Sequence, residues 1–251
     1  MSTWIKLAVA GLLVVFLLFS VSVRQDGQLD RIELKMKKRG DNKQIVDKDD
    51  VKHILRAELG HKISHSAFRD LDLYALEKAL ESDNRISRAE MFINKNNVLT
   101  IGILQNLPIA RVEVTGGDDY YLDLQGNFVP IKGDIIRVPV ITGNVDRYIA
   151  EYKKDEEHNL NYLHTVSRKV YEDDFLTALV SQIHITDDDD IVLIPIVGRE
   201  RIALGSKEEL DEKIYKLKTY YKEGLRKIGV DRFKELDLRY EGQIIGKEKE
   251  S

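Results

Sequence analysis

The apolar run from Leu7 to Val23 constrains this chain more than any other segment, because no charged residue interrupts it. With Trp4 and Ile5 the run covers 4–23, which at about 1.5 Å per helical residue reaches about 30 Å, one bilayer core. Twelve of its residues are Leu, Val or Phe. At about −0.3 to −0.6 kcal/mol each on an insertion scale, they favour the bilayer by about 4–7 kcal/mol. The run therefore predicts a transmembrane helix over 7–23. Residues 1–6 are expected as a short cytoplasmic tail, with the polar remainder on the far side. A cleaved secretory signal is the competing reading, with Lys6 as its n-region and Ser20-Val-Ser22 as a small-residue site. Its apolar region is longer than a signal needs.

Charge and composition bound the rest. The chain carries 39 basic and 43 acidic residues, a formal net charge of −4, which argues against a nucleic-acid partner. Hydrophobic residues make up 43%, enough for one or two small domains with real cores. The absence of cysteine excludes a disulfide framework, a cysteine-based zinc site and a thiol nucleophile.

Beyond the anchor, Ile32, Leu34 and Met36 alternate with Arg31, Glu33, Lys35 and Lys37, the period of a strand. Gly40-Asp-Asn42 is expected to turn the chain. Asp47 is placed to cap a helix bearing Val51, Ile54, Leu55 and Leu59, with Gly60 as its stop. A second helix begins near Asp70 or Asp72, buries Leu73, Leu76 and Leu80, and ends at Ser82-Asp-Asn84. Ile86 to Ile93 and Val98 to Leu104 flank Asn94-Lys-Asn-Asn97 and predict a hairpin.

In the C-terminal half, Leu160, Leu163, Val166, Val170 and Leu176 lie near helical spacing within 146–182, predicting one or two packed helices. Ile183 to Ile185, Ile191 to Val197 and Arg201 to Leu204 are expected as strands, with Asp187 to Asp190 at a hairpin tip. Ser206 and Glu209 have capping-box spacing ahead of Leu210, Ile214, Leu217, Tyr221, Leu225 and Ile228, with Gly229 as the stop. Phe233 to Tyr240 alternates as a last strand, Glu241-Gly242 interrupts it, and Gln243 to Ile245 resumes it.

The order strand, helix, helix, strand, strand directly after an anchor resembles a POTRA domain. Further segments carry a resemblance to the FtsQ/DivIB family. They are Gln105-Asn-Leu-Pro108-Ile-Ala110-Arg-Val112, Tyr120-Tyr-Leu-Asp-Leu124, Gln125-Gly-Asn127, Phe128-Val-Pro-Ile131 and Val138-Pro-Val-Ile-Thr-Gly143. The closing helix, the Asp237-Leu-Arg-Tyr240 strand and the following Gly242 resemble the end of that family. Val138 stands where leucine is more usual, the 146–182 stretch is particular to this chain, and 247–251 lacks an aromatic residue. The resemblance implies an α+β fold. Its parts are the anchor at 7–23, a POTRA domain of β-α-α-β-β order over 29–106, a mixed β-sheet domain with packed helices over 107–246, and a charged tail at 247–251.

The resemblance also implies a non-enzymatic cell-division scaffold in the cell (inner) membrane, with its C-terminus outside and its place at the septum. Its partners are implied to be bitopic coiled-coil proteins of the FtsB and FtsL type, with septal wall synthase components as further candidates. The implied binding site is the last strand, through Arg239, Tyr240, Glu241, Gln243, Ile244 and Ile245. Strand addition there would draw affinity from main-chain pairing and specificity from side chains such as Arg239 and Tyr240. Pattern alone also accommodates a sheet-completing strand with Leu236 and Leu238 in the core. An alternative is a POTRA-bearing export or outer-membrane assembly component that binds client polypeptides.

No residue pattern points to catalysis, a cofactor or a small-molecule substrate. His61 and His65 are four apart but lack the glutamate of a metalloprotease helix, and a solvated loop accounts for them. Asp187 to Asp190 lacks the spaced oxygens and glycine of a calcium loop. Gly205-Ser206 lacks the glycine after serine that a nucleophile elbow requires. Gly116-Gly117 precedes aspartates, which suits a turn rather than phosphate.

Overall fold

The computed structural model describes residues 29–37, 44–224 and 232–249. The expected tail at 1–6 and anchor at 7–23 lie outside them, as do the turn at 40–42, Leu225, Ile228, Gly229 and the last two residues. Among the described residues no helix is long and apolar enough to cross a membrane. The fold is mixed α+β, with two sheets and few helices. It divides into two compact units, one up to Gln105 together with Lys132–Asp134, the other from Asn106–Ile131 and Ile135 onward.

The first unit runs β1 (Arg31–Lys37), α1 (Lys48–Leu59), α2 (Leu73–Glu81), β2 (Ile86–Ile93) and β3 (Val98–Gln105). Local chemistry sets the helix ends as the sequence predicts. Asp47 Oδ1 accepts from the Asp49 and Asp50 amides at 2.7 and 2.8 Å, and Gly60 closes α1 in the left-handed region at φ 74°. Asp72 accepts from the Ala75 amide at 3.0 Å and so opens α2. Asn97 turns the β2–β3 hairpin with φ 56°. β3 is central, parallel to β1 and antiparallel to β2. Its Leu99, Ile101 and Ile103 form the core with Val51, Leu55, Leu76 and Leu80.

The outer side of β2 is closed by α2. Glu77 Oε1 accepts from the Met91 amide at 2.5 Å and Glu81 Oε1 from the Ala89 amide at 3.2 Å. Two N–H groups that could otherwise recruit another strand are thereby occupied. On the opposite edge, β1 carries charge at every second position from Arg31 to Lys37, which also discourages pairing.

The second unit contains β4 (Pro108–Val112), β5 (Tyr120–Asp123), β6 (Phe128–Pro130) and β7 (Val140–Gly143), then α3 (Asn159–Glu172) and α4 (Asp174–Leu179). β8 (Val180–Ile185), β9 (Ile191–Pro195), β10 (Arg201–Gly205), α5 (Leu210–Thr219), β11 (Phe233–Asp237) and β12 (Ile245–Glu248) follow. All nine strands join one sheet in the order β12-β11-β10-β9-β8-β7-β4-β5-β6. β7 is parallel to β4 and β8, and β10 is parallel to β11. The predicted stripe of Leu160, Leu163, Val166 and Val170 is the buried face of α3, which packs on β4 and β8.

Two expectations fail near the C-terminus. Ser206 does not cap the last helix: α5 starts at Leu210, and Glu209 before it sits at φ 55° with no side-chain cap. The Ser206 hydroxyl bonds Glu208 instead, and the buried Lys213 donates from Nζ to the Ser206 carbonyl at 3.0 Å. The last strand stops at Asp237 rather than Tyr240. Ile245 then starts a separate strand, β12, that runs back antiparallel to β11 instead of resuming it.

A candidate partner-binding edge

β12 is the terminal strand of the nine-stranded sheet. It pairs with β11 through Asp237 opposite Ile245, Leu236 opposite Gly246, Glu235 opposite Lys247 and Phe233 opposite Glu248. Leu236 and Leu238 anchor the hairpin in the core. Phe233 lies across Gly246, where an added Cβ would stand 2.5–2.7 Å from three atoms of its ring. Cross-strand ion pairs, Lys247 with Glu235 at 2.5 Å and Arg232 with Glu248 at 2.8 Å, tie the two strands at the surface. Among the described residues no side-chain acceptor meets a β12 amide, in contrast to β2.

The loop from Leu238 to Ile244 is held from two sides. On one side, the Arg239 guanidinium donates to Asp237 Oδ1 and Oδ2 at 2.9 and 2.7 Å and to Asp190 Oδ2 at 2.9 Å. Its stem crosses Gly205, whose φ of +70° and missing Cβ leave that space open. The Arg239 hydrogen bond holds the Asp237 carboxyl below the usual carboxylate range. On the other side, Lys216 of α5 donates from Nζ to the carbonyls of Leu238 and Tyr240 at 3.2 and 2.6 Å. Glu212, 3.8 Å from that ammonium, accepts from the Gly242 amide at 3.4 Å.

Of the six residues named from the sequence, only Ile245 lies in a strand; Arg239, Tyr240, Glu241, Gln243 and Ile244 belong to the loop. Arg239 is committed to Asp237 and Asp190, so it braces the loop. Tyr240 is 48% exposed and Ile245 38%, and Tyr215 of α5 adds a third exposed ring or apolar group at 70%. Ile244 leans on the core and closes a groove of about 420 Å³ shared with Tyr215, Lys216, Thr219 and Tyr220. Lys216, Glu212 and Asp190 were missed from the sequence. The only local signal was the four-residue spacing of Glu212 and Lys216.

Of the remaining candidates, Asp190 and Gly205 meet Arg239 at this edge. His61 Nε2 lies 2.9 Å from Ser66 Oγ, a local contact. Among the described residues no group of three His, Asp or Glu side chains is gathered to hold a metal.

A family model for FtsQ/DivIB, C-terminal related, matches residues 107–247, more than half of the chain and nearly all of the second unit. No curated protein matches the chain. On the strength of that family match, the chain belongs to the FtsQ/DivIB family, a family of non-catalytic cell-division scaffolds.

Proposed function

We propose that this protein is a single-pass division scaffold whose β12 edge captures the extracytoplasmic segment of FtsB- or FtsL-like bitopic proteins by strand addition. Residues 7–23 supply the anchor, 29–106 a POTRA domain, 107–246 the binding domain and 247–251 a charged tail. The anchor confines the protein to a surface, which raises its effective concentration toward other anchored partners without any new contact. The protein acts in the cell membrane at the septum, with its C-terminus outside.

The observation that carries this reading is the open edge at β12. Other edges are managed: β2 by Glu77 and Glu81, β1 by its charges, and β6 by its length of three residues and Pro130, which has no N–H to offer. β12 carries the exposed Ile245 and follows a loop that bears the exposed Tyr240, and that loop is braced internally before any partner arrives. A braced edge loses less entropy on binding.

Tyr240→Ala, which removes an exposed ring and leaves the loop braces in place, is expected to weaken binding of the partner segment about tenfold, or about 1.4 kcal/mol. Titration calorimetry with full-length protein in detergent reads this directly. Unchanged affinity contradicts the site. A fluorescent fusion is expected as a band at the septum, and an even distribution around the cell contradicts the proposed location.

A further inference from the structure

A second site lies in the same unit, away from β12. The turn after β4, the end of β7 and the segment that follows it enclose a pocket of about 730 Å³, within the usual range for ligand sites. We propose that this pocket binds the protonated amine of a lysine side chain presented by a peptide.

Three aromatic side chains form one wall. Tyr120 and Phe128 stack with centroids 4.9 Å apart and planes 29° apart, and Tyr148 stands edgewise to Tyr120 at 5.9 Å and tilted to Phe128 at 5.5 Å. An aromatic lining suits an alkylammonium group, an attraction that strengthens as the cation is desolvated. The lining carries three carboxylates, Glu113, Asp118 and Asp146, against one guanidinium, Arg147. Asp146 is engaged with the Asn159 amide and with His158. Glu113 and Asp118 form no ion pair among the described residues. The pocket is thus negative and has unspent carboxylates.

Tyr120 provides an independent mark. Its side chain is 4% exposed and its hydroxyl has no hydrogen-bond partner. An unsatisfied buried hydroxyl is costly, and native folds rarely keep one without a use. Burial, reinforced by nearby Tyr148, pushes the phenol pKa up, so the group remains a neutral hydroxyl whose oxygen can accept from an ammonium N–H. The acidic loops make an anionic ligand the poorer fit, despite Arg147 and the adjacent Gly116-Gly117 turn.

The test uses the full-length protein with N-acetyl-lysine methylamide as probe and N-acetyl-norleucine methylamide as its uncharged counterpart, followed by NMR of isotopically labelled tyrosine and phenylalanine rings. The lysine probe is expected to shift the Tyr120, Phe128 and Tyr148 signals, to bind more weakly as salt is raised, and to outbind norleucine at least tenfold. Asp118→Asn, on an exposed turn, is expected to weaken the lysine probe severalfold without altering the fold. Tyr148→Phe, which keeps the ring, is expected to retain binding. Equal binding of the two probes, absence of ring shifts, or indifference to Asp118→Asn overturns the proposal.

Discussion

Replacing Arg85 with methionine is expected to lower the unfolding free energy of the first unit by about 3 kcal/mol, the low end of the range for breaking a buried ion pair, because the two carboxylates left behind keep part of their exposure. Arg85 is 4% exposed and donates to Asp50 through two bonds of 2.9 Å, to Asp83 at 2.7 and 3.0 Å, and to the Ile45 carbonyl at 3.1 Å. Methionine matches the stem but satisfies none of these acceptors. Asp50 also accepts from the Asp47 amide in the cap of α1, so the start of that helix loosens with it.

The pH dependence follows from the same contacts. Burial acts to raise the Asp50 and Asp83 pKa values, but the Arg85 guanidinium, together with backbone amides that bond each carboxyl, outweighs it and both sit below their ordinary range. A depressed native pKa contributes stability that is present above the unfolded value, about 3.9, and is lost as pH falls through the native value. Without the guanidinium the Asp47 amide still bonds Asp50 and the residue 85 amide still bonds Asp83, but Arg85's share of the depression is lost, so the stability gap between the two proteins is widest at pH 7 and narrows as pH falls below about 4. Urea melts of the two proteins at pH 7, with acid titrations followed by circular dichroism, check both effects. Equal midpoints contradict the account of Arg85.

The second large effect is expected at Gly246. Valine there has to displace the Phe233 ring or β12 itself, because no room exists for a Cβ at 2.5 Å from an aromatic carbon. The cross-strand pairing of β12 is short and its ion pairs are exposed, worth about 0.2–1 kcal/mol each, so the strand is what yields. Partner affinity is expected to fall about a hundredfold, close to 2.7 kcal/mol. The core built on Leu163, Ile183, Leu193 and Ile202 lies on other strands and α3 and should keep its melting behaviour. Full affinity in Gly246→Val, with β12 displaced, contradicts a role for this edge.

What was legible in the sequence was local. The Asp47 cap, the Gly60 stop, the Asn94 to Asn97 turn and the α3 stripe each depend on residues within a few positions of one another, and each formed where its pattern lay. The β12 region was not legible because its determinants are distant. Leu236 and Leu238 continue an alternation that reads as strand through Tyr240, yet Lys216, 24 residues before Tyr240, takes the carbonyls of Leu238 and Tyr240 that a longer strand would offer to a neighbour. Asp190, 49 residues before Arg239, holds that side chain across Gly205. Ser206 and Glu209 failed for a related reason, since Lys213 reaches back to the Ser206 carbonyl and the chain enters α5 through a left-handed residue. Thus the segment named for partner binding forms a loop and a returning edge instead of the one strand its alternation predicted.

Strand addition makes one prediction that side-chain docking does not. Amide hydrogen exchange on full-length protein, with and without the proposed partner's extracytoplasmic segment, should show protection gained at alternate amides of Ile245–Glu248, because only every second N–H of an edge strand faces an incoming chain. Protection confined to alternate residues of β12 is the predicted result. Saturating partner binding that leaves every β12 amide exchanging as before would contradict it.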